Sequence, residues 1–185
     1  NYPSISTSND GSIYIAGSTS SAFDGQTMTG YEDAFIMKFN PVGEREWTRF
    51  QGTIDLNDGR PARNTFGQDI ATISDGSIYM AGYFTESDAW EGGDRDAFIN
   101  KYSPDGTKEW TRHIGGKNTY GYSITTGSDG SVYITGYTGD LELNGQPNAN
   151  PQITSASRDG FIVKYTPGGT KEWTRLFGGF DYDEG

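Results

Sequence analysis

The 185 residues carry 25 acidic against 14 basic side chains, a net charge of −11, and no cysteine. A surface this acidic repels phosphate backbones and anionic bilayers, which argues against nucleic acid and membrane surfaces as partners, and the missing thiols exclude disulfides and thiolate chemistry. With 32% hydrophobic residues, 14% aromatic residues and 27 glycines, the chain suits short strands and tight turns around an aromatic core.

Read from the N-terminus, the first unit opens on a short strand around Ile5. The phrase Asp10-Gly-Ser-Ile-Tyr14 then supplies a turn and the start of a second strand. A loop of 15 residues, Ser18 to Glu32, leads to the phrase Asp33-Ala-Phe-Ile-Met-Lys-Phe39, in which a third strand opens just after Asp33. The turn Asn40-Pro41-Val42-Gly43 leads into a fourth strand carrying Glu46-Trp47-Thr48-Arg49.

The plan is then repeated. Asp75-Gly-Ser-Ile-Tyr79, a loop from Tyr83 to Arg95, Asp96–Tyr102, the turn Ser103-Pro104-Asp105-Gly106 and Trp110-Thr-Arg112 form the second copy. Asp129-Gly-Ser-Val-Tyr133, a loop from Tyr137 to Arg158, Asp159–Tyr165, Thr166-Pro167-Gly168-Gly169 and Trp173-Thr-Arg175 form the third. Trp47, Trp110 and Trp173 stand 63 residues apart, and Asp33, Asp96 and Asp159 keep the same interval. Self-similarity at a fixed long period signals a repeat architecture. Within the third copy, Val132 and Ile134 alternate with Tyr133 and Thr135, the period of a half-buried strand. The expectation is an all-β chain of three four-stranded antiparallel blades of a β-propeller, at about residues 3–52, 67–115 and 121–179, in one segment spanning 1–185.

The combination Asp-Gly-Ser-Ile-Tyr-Ile-Ala-Gly, Asp-Ala-Phe-Ile-x-Lys-Tyr-x-Pro-Asp-Gly-Thr-Lys-Glu-Trp-Thr-Arg and Gly-Gly resembles the SBBP-type bacterial β-propeller repeat. The resemblance covers all three copies. It implies a bacterial propeller, extracellular or at the cell surface, and carries over no single activity. The loops between second and third strands are longer than that pattern expects.

Three blades do not close a ring, because propellers use about four to eight. Bare edges and faces invite pairing with other chains. Joining the C-terminal linker to a following Asn1 would leave a spacer within the range of the internal ones, so the chain reads as one tile of a head-to-tail series. The expected partner is a second copy, giving a six-bladed homodimer, an open head-to-tail array, or adjoining repeats of a longer parent chain. The chain begins at Asn1 rather than Met and shows no signal peptide, which reads as an excised or processed segment. Its longest apolar runs, such as Ala34 to Met37, are too short to insert into a membrane.

Few residues offer chemistry. His113 is the single histidine, and aligned copies hold Phe50 and Leu176, so its slot is one for packing. Zinc sites and Ser-His or Cys-His nucleophiles lack their parts, and no enzyme is expected. The recurring Asp33, Asp96 and Asp159 read as partners of Arg49, Arg112 and Arg175 or as acceptors of backbone N–H groups. The competing reading is a carboxylate ring that binds a cation. Arg two residues after Trp shares its strand face and can stack on it. Asp55, Asn57 and Asp58 precede Gly59 like the opening of a calcium loop, although Phe66 stands where the bidentate Glu would fall. Calcium is therefore a candidate cofactor. In the long loops, Phe23, Tyr31, Trp90 and Leu141 are candidate recognition residues for a glycan, or else caps on the apolar edge of each blade. The expected function is a non-enzymatic structural or adhesive repeat module that self-associates. The alternative is a carbohydrate-binding lectin, calcium-assisted.

Overall fold

The computed structural model describes residues 2–52, 64–85, 94–116, 118–147 and 158–178. Among them there are fourteen strands and no helix. The first sheet is β1 (Ser4–Thr7), β2 (Ile13–Thr19), β3 (Asp33–Phe39) and β4 (Arg45–Gln51), paired antiparallel in chain order. The second holds β5 (Asn64–Thr72), β6 (Ile78–Thr85), β7 (Arg95–Tyr102) and β8 (Lys108–Ile114) in the same order. The third holds β9 (Thr119–Thr126), β10 (Val132–Thr138), β13 (Asp159–Tyr165) and β14 (Lys171–Phe177). A two-stranded ribbon, β11 (Glu142–Leu143) and β12 (Gln146–Pro147), lies in the third long loop and had no counterpart in the sequence reading. Strands β5 and β9 start at Asn64 and Thr119, ahead of positions 67 and 121, because a bulge lets each pairing continue toward the loop end.

The three sheets are equivalent position by position. Ile5 pairs with Ile15, Ile70 with Met80, and Ile124 with Ile134. The hairpins that carry the Pro-Gly turns share one bulge, at Lys38/Phe39, Lys101/Tyr102 and Lys164/Tyr165. Each turn closes with a glycine at positive φ: Gly43 at 85°, Gly106 at 82° and Gly169 at 79°. That conformation is cheap for glycine alone, so the turn and the bulge beside it are written into the sequence together.

The sheets stack in series. Strand β5 packs on β1, β2 and β3, and β9 packs on β5, β6 and β7. One core lies between the first two sheets, built from Tyr14, Ile36, Ile70, Ile78, Met80, Phe84 and Phe98. The other lies between the second and third, built from Tyr79, Ile99, Ile124, Val132, Ile134, Phe161 and Val163. Burying each such side chain contributes roughly 1.5–3 kcal/mol.

The middle sheet is covered on both faces, and the outer two on one face each. Ile70 and Ile124 are 4% and 5% exposed, whereas Ile5 at the matching place is 67% exposed. Phe39 is half-buried where Tyr102 and Tyr165 are buried. At the other end, Ile162 and Thr135 are half-buried where Ile36, Ile99, Ala16 and Ala81 are fully buried.

Candidate functional site

The repeated words of the sequence converge on one structural device. On each fourth strand, Arg stacks on the preceding Trp: Arg49 lies 5.3 Å from the Trp47 ring centre, Arg112 5.1 Å from Trp110, and Arg175 5.6 Å from Trp173. The stacking expected from the Trp-Thr-Arg spacing is therefore present in all three copies. The tyrosine of each Asp-Gly-Ser-x-Tyr phrase backs the same indole, with ring centres 6.1 Å apart for Tyr14–Trp47, 5.9 Å for Tyr79–Trp110 and 6.1 Å for Tyr133–Trp173. Lys38–Glu46, Lys101–Glu109 and Lys164–Glu172 form ion pairs of 2.8, 2.9 and 2.8 Å beside it. Such half-exposed pairs contribute little energy, and their role is to hold the lysine stems over the tyrosines.

This device grips the next sheet. The Trp47 indole N–H donates to the Pro104 carbonyl at 3.3 Å, and Arg49 donates to the Asp105 carbonyl at 3.3 Å. Both acceptors lie in the Pro-Gly turn of the second sheet. One copy later, Arg112 Nε donates to the Gly169 carbonyl at 2.7 Å. The Trp110 indole lies against that turn with its N–H buried and unbonded, so the guanidinium supplies the polar part of the second contact. In each arginine a second nitrogen holds its own strand, at Thr48, Thr111 and Thr174 carbonyls. A planar fork with five N–H groups can serve both at once.

Asp69 is a second junction, and the sequence reading passed over it. It aligns with Ser4 and Ser123. Its carboxylate accepts from the Ser4 hydroxyl of the first sheet, from the Ser123 hydroxyl at 2.7 Å and from the Ile124 N–H at 2.9 Å. One side chain thus ties the first strands of all three sheets. The available signal was the break in the repeat: an acid where the other copies carry serine.

The recurring aspartates lie within the third strands rather than just before them, and in the first copy the aspartate is a structural acceptor. Asp33, fully buried, accepts the N–H groups of Thr29 at 2.6 Å and Gly30 at 3.0 Å. Arg49 bonds to carbonyl groups instead, so the Asp–Arg pairing is replaced in this copy by the backbone-acceptor alternative. Asp159 is buried and Asp96 half-buried at the matching places. Among the described residues no group of three acidic or histidine side chains is placed to hold a metal. Asp55, Asn57, Asp58 and Trp90 lie outside the described residues.

Of the loop candidates, Phe23 turns inward. Its ring meets Phe35 at 5.5 Å and Phe50 at 4.7 Å, edge to face, and caps the first sheet. Tyr31 and Leu141 are 71% and 66% exposed. Leu141 borders a cleft of about 600 Å³ with Asn118, Asp140, Glu142 and Asn144. Nearby, Tyr120, Tyr122 and Tyr137 cluster with Tyr83, and Arg158 sits 4.2 Å above Tyr137. Burial, followed by the hydrogen bond to Tyr122, pushes the Tyr137 hydroxyl far above its ordinary value. His113 packs 5.0 Å from Phe84, and burial together with the Lys108 charge holds its imidazole below the usual range.

No family model matches the chain. It is similar to the regulatory protein FlaEY of Caulobacter vibrioides, 26% identical over 187 residues covering 91% of the chain. It is also similar to an uncharacterized WD repeat-containing protein of Acanthamoeba polyphaga mimivirus, 25% identical over 171 residues covering 82% of the chain. The chain spans 18% and 12% of the length of these two curated relatives.

Proposed function

We propose that the chain is three blades of a β-propeller, a non-enzymatic structural or adhesive module of the cell surface that completes its ring with a second copy of itself. The observation that carries this reading is the contrast at one position: Ile70 and Ile124 are buried by the sheet before them, and Ile5 is bare. The same packing recurs from sheet to sheet, so the uncovered face of the third is equivalent to the faces of the first and second on which the next sheet packs. A heterologous contact of this kind closes when the rotation permits and otherwise extends. A relative with WD repeats is consistent with propeller geometry, and the resemblance to SBBP repeats supports a surface location. The test is mass in solution by light scattering or native mass spectrometry. The expected species is a dimer, twice 20.2 kDa. A monomer persisting at tens of micromolar sinks the reading.

A second reading, a glycan-binding module, draws on the polar cleft beside the exposed Leu141. The amides of Asn118 and Asn144 and the carboxylate of Asp140, hydrogen-bonding to sugar hydroxyls, with an apolar contact from Leu141, would suit a sugar. A glycan array run with calcium and again with chelator tests it, and no binding in either arm removes it.

A further inference from the structure

We infer that Trp173 and Arg175 form an open clasp whose occupant is the Asn40–Glu44 turn of a second copy of this chain. The inference rests on the self-association proposed above and names the contact that would carry it.

Two closed clasps show what the third receives. Trp47 with Arg49, and Trp110 with Arg112, each seat a Pro-containing turn that ends in a left-handed glycine. The fit is close. A Cβ at Gly106 would stand 3.1 Å from the Trp47 indole, and one at Gly169 would stand 3.0 Å from the Trp110 indole. Both glycines are buried. Gly43 has the same φ in the same turn, is exposed, and among the described residues has nothing within 4 Å of its Cβ direction. Its neighbour Val42 is 80% exposed. The turn has the form that receives an indole, and no indole among the described residues meets it.

The clasp is equally complete on its own side. Arg175 is stacked on Trp173 and tethered to the Thr174 carbonyl at 2.7 Å, as its counterparts are. Among the described residues, no carbonyl stands where Asp105 and Gly169 meet Arg49 and Arg112. The face beside it is also preformed. Tyr133, Thr135 and Ile162 line a shallow groove of about 80 Å³ on the open side of the third sheet. In the two internal contacts the matching groove is filled by the first strand of the following sheet. Here that strand is β1 of the second copy, which carries the bare Ile5. Clasp, groove, turn and isoleucine thus form one continuous heterologous surface, with both halves present on every chain.

The experiment uses two variants of the 185-residue chain, Trp173→Ala and Gly43→Asn. Asparagine tolerates the left-handed conformation, so Gly43→Asn leaves the free turn intact while placing a side chain where the indole must lie. Folding of each is verified by circular dichroism, with Arg175→Ala replacing Trp173→Ala should the latter melt. Each variant alone is expected to self-associate about 30-fold or more weakly than the parent chain, the loss typical of a central interface tryptophan. Mixed together they form a heterodimer with one intact contact, Trp173 of one chain on Gly43 of the other. Sedimentation equilibrium should therefore show the mixture associating more tightly than either variant alone. A parent chain that is monomeric overturns the self-association reading itself. A parent chain that dimerises, with variants that bind like it or that fail to complement each other, overturns the clasp and leaves that reading standing.

Discussion

Replacing Asp69 by alanine removes a side chain that joins all three sheets. Three bonds between sheets disappear, from the Ser4 and Ser123 hydroxyls and the Ile124 N–H, and so does a local bond from the Ile70 N–H at 2.9 Å. A hydrogen bond to a charged acceptor contributes about 1.5–3 kcal/mol, but Asp69 is only half-buried and the freed hydroxyls can turn to water. The Ile124 N–H, next to a buried side chain, has less access to a substitute. The expected loss is about 2–4 kcal/mol, which for a chain of this size lowers the melting temperature by roughly 5–15 °C. Asp69→Asn keeps one acceptor oxygen and should lose about half as much. Asp69→Ser, which restores the residue of the other copies, should behave like alanine because its hydroxyl is too short to span the junction. Urea titration followed by tryptophan fluorescence gives the free energies, and calorimetry gives the midpoints. A loss below about 0.5 kcal/mol for alanine would refute the claim that this carboxylate couples the sheets.

Asp33→Ala strands the N–H groups of Thr29 and Gly30 and should cost about 2–3 kcal/mol, with faster hydrogen exchange in the 18–32 loop as the local signature. Trp47→Ala opens a closed clasp and should cost about 2–3 kcal/mol in urea, whereas Trp173→Ala, with no turn seated on it, should cost the isolated chain about 1 kcal/mol. His113 is held below the ordinary imidazole value by burial and by Lys108, so the unfolded chain takes up a proton near pH 6.5 that the folded chain refuses. Stability should therefore fall as the pH drops below that point, and His113→Phe should flatten the slope between pH 5 and 7, as read from melts across that range. Asp10 is lowered to about 2 by the Ser8 hydroxyl, followed by bonds from Ser12, so its turn contributes stability above the ordinary carboxylate range that is lost as the pH falls toward 2. Asp10→Asn should remove that part of the acid transition.

The repeat period, the alternation of apolar residues and the Pro-Gly and Asp-Gly turns are local properties of the chain. They sufficed for the all-β class, the four-strand unit and the antiparallel order, because a strand hairpin is specified by its own turn and its own two faces. The Arg-on-Trp stack was legible for the same reason, since two residues apart on a strand means one face. What grips what across sheets was not legible. That Trp47 holds Pro104, that Asp69 gathers Ser4 and Ser123, and that Phe23 folds in on Phe35 and Phe50 depend on how separate sheets and loops pack, and such contacts join residues with no fixed spacing. The same tertiary packing separated the equivalent isoleucines: at the same place in the repeat, Ile70 and Ile124 are buried and Ile5 is not, because burial is decided by what lies opposite.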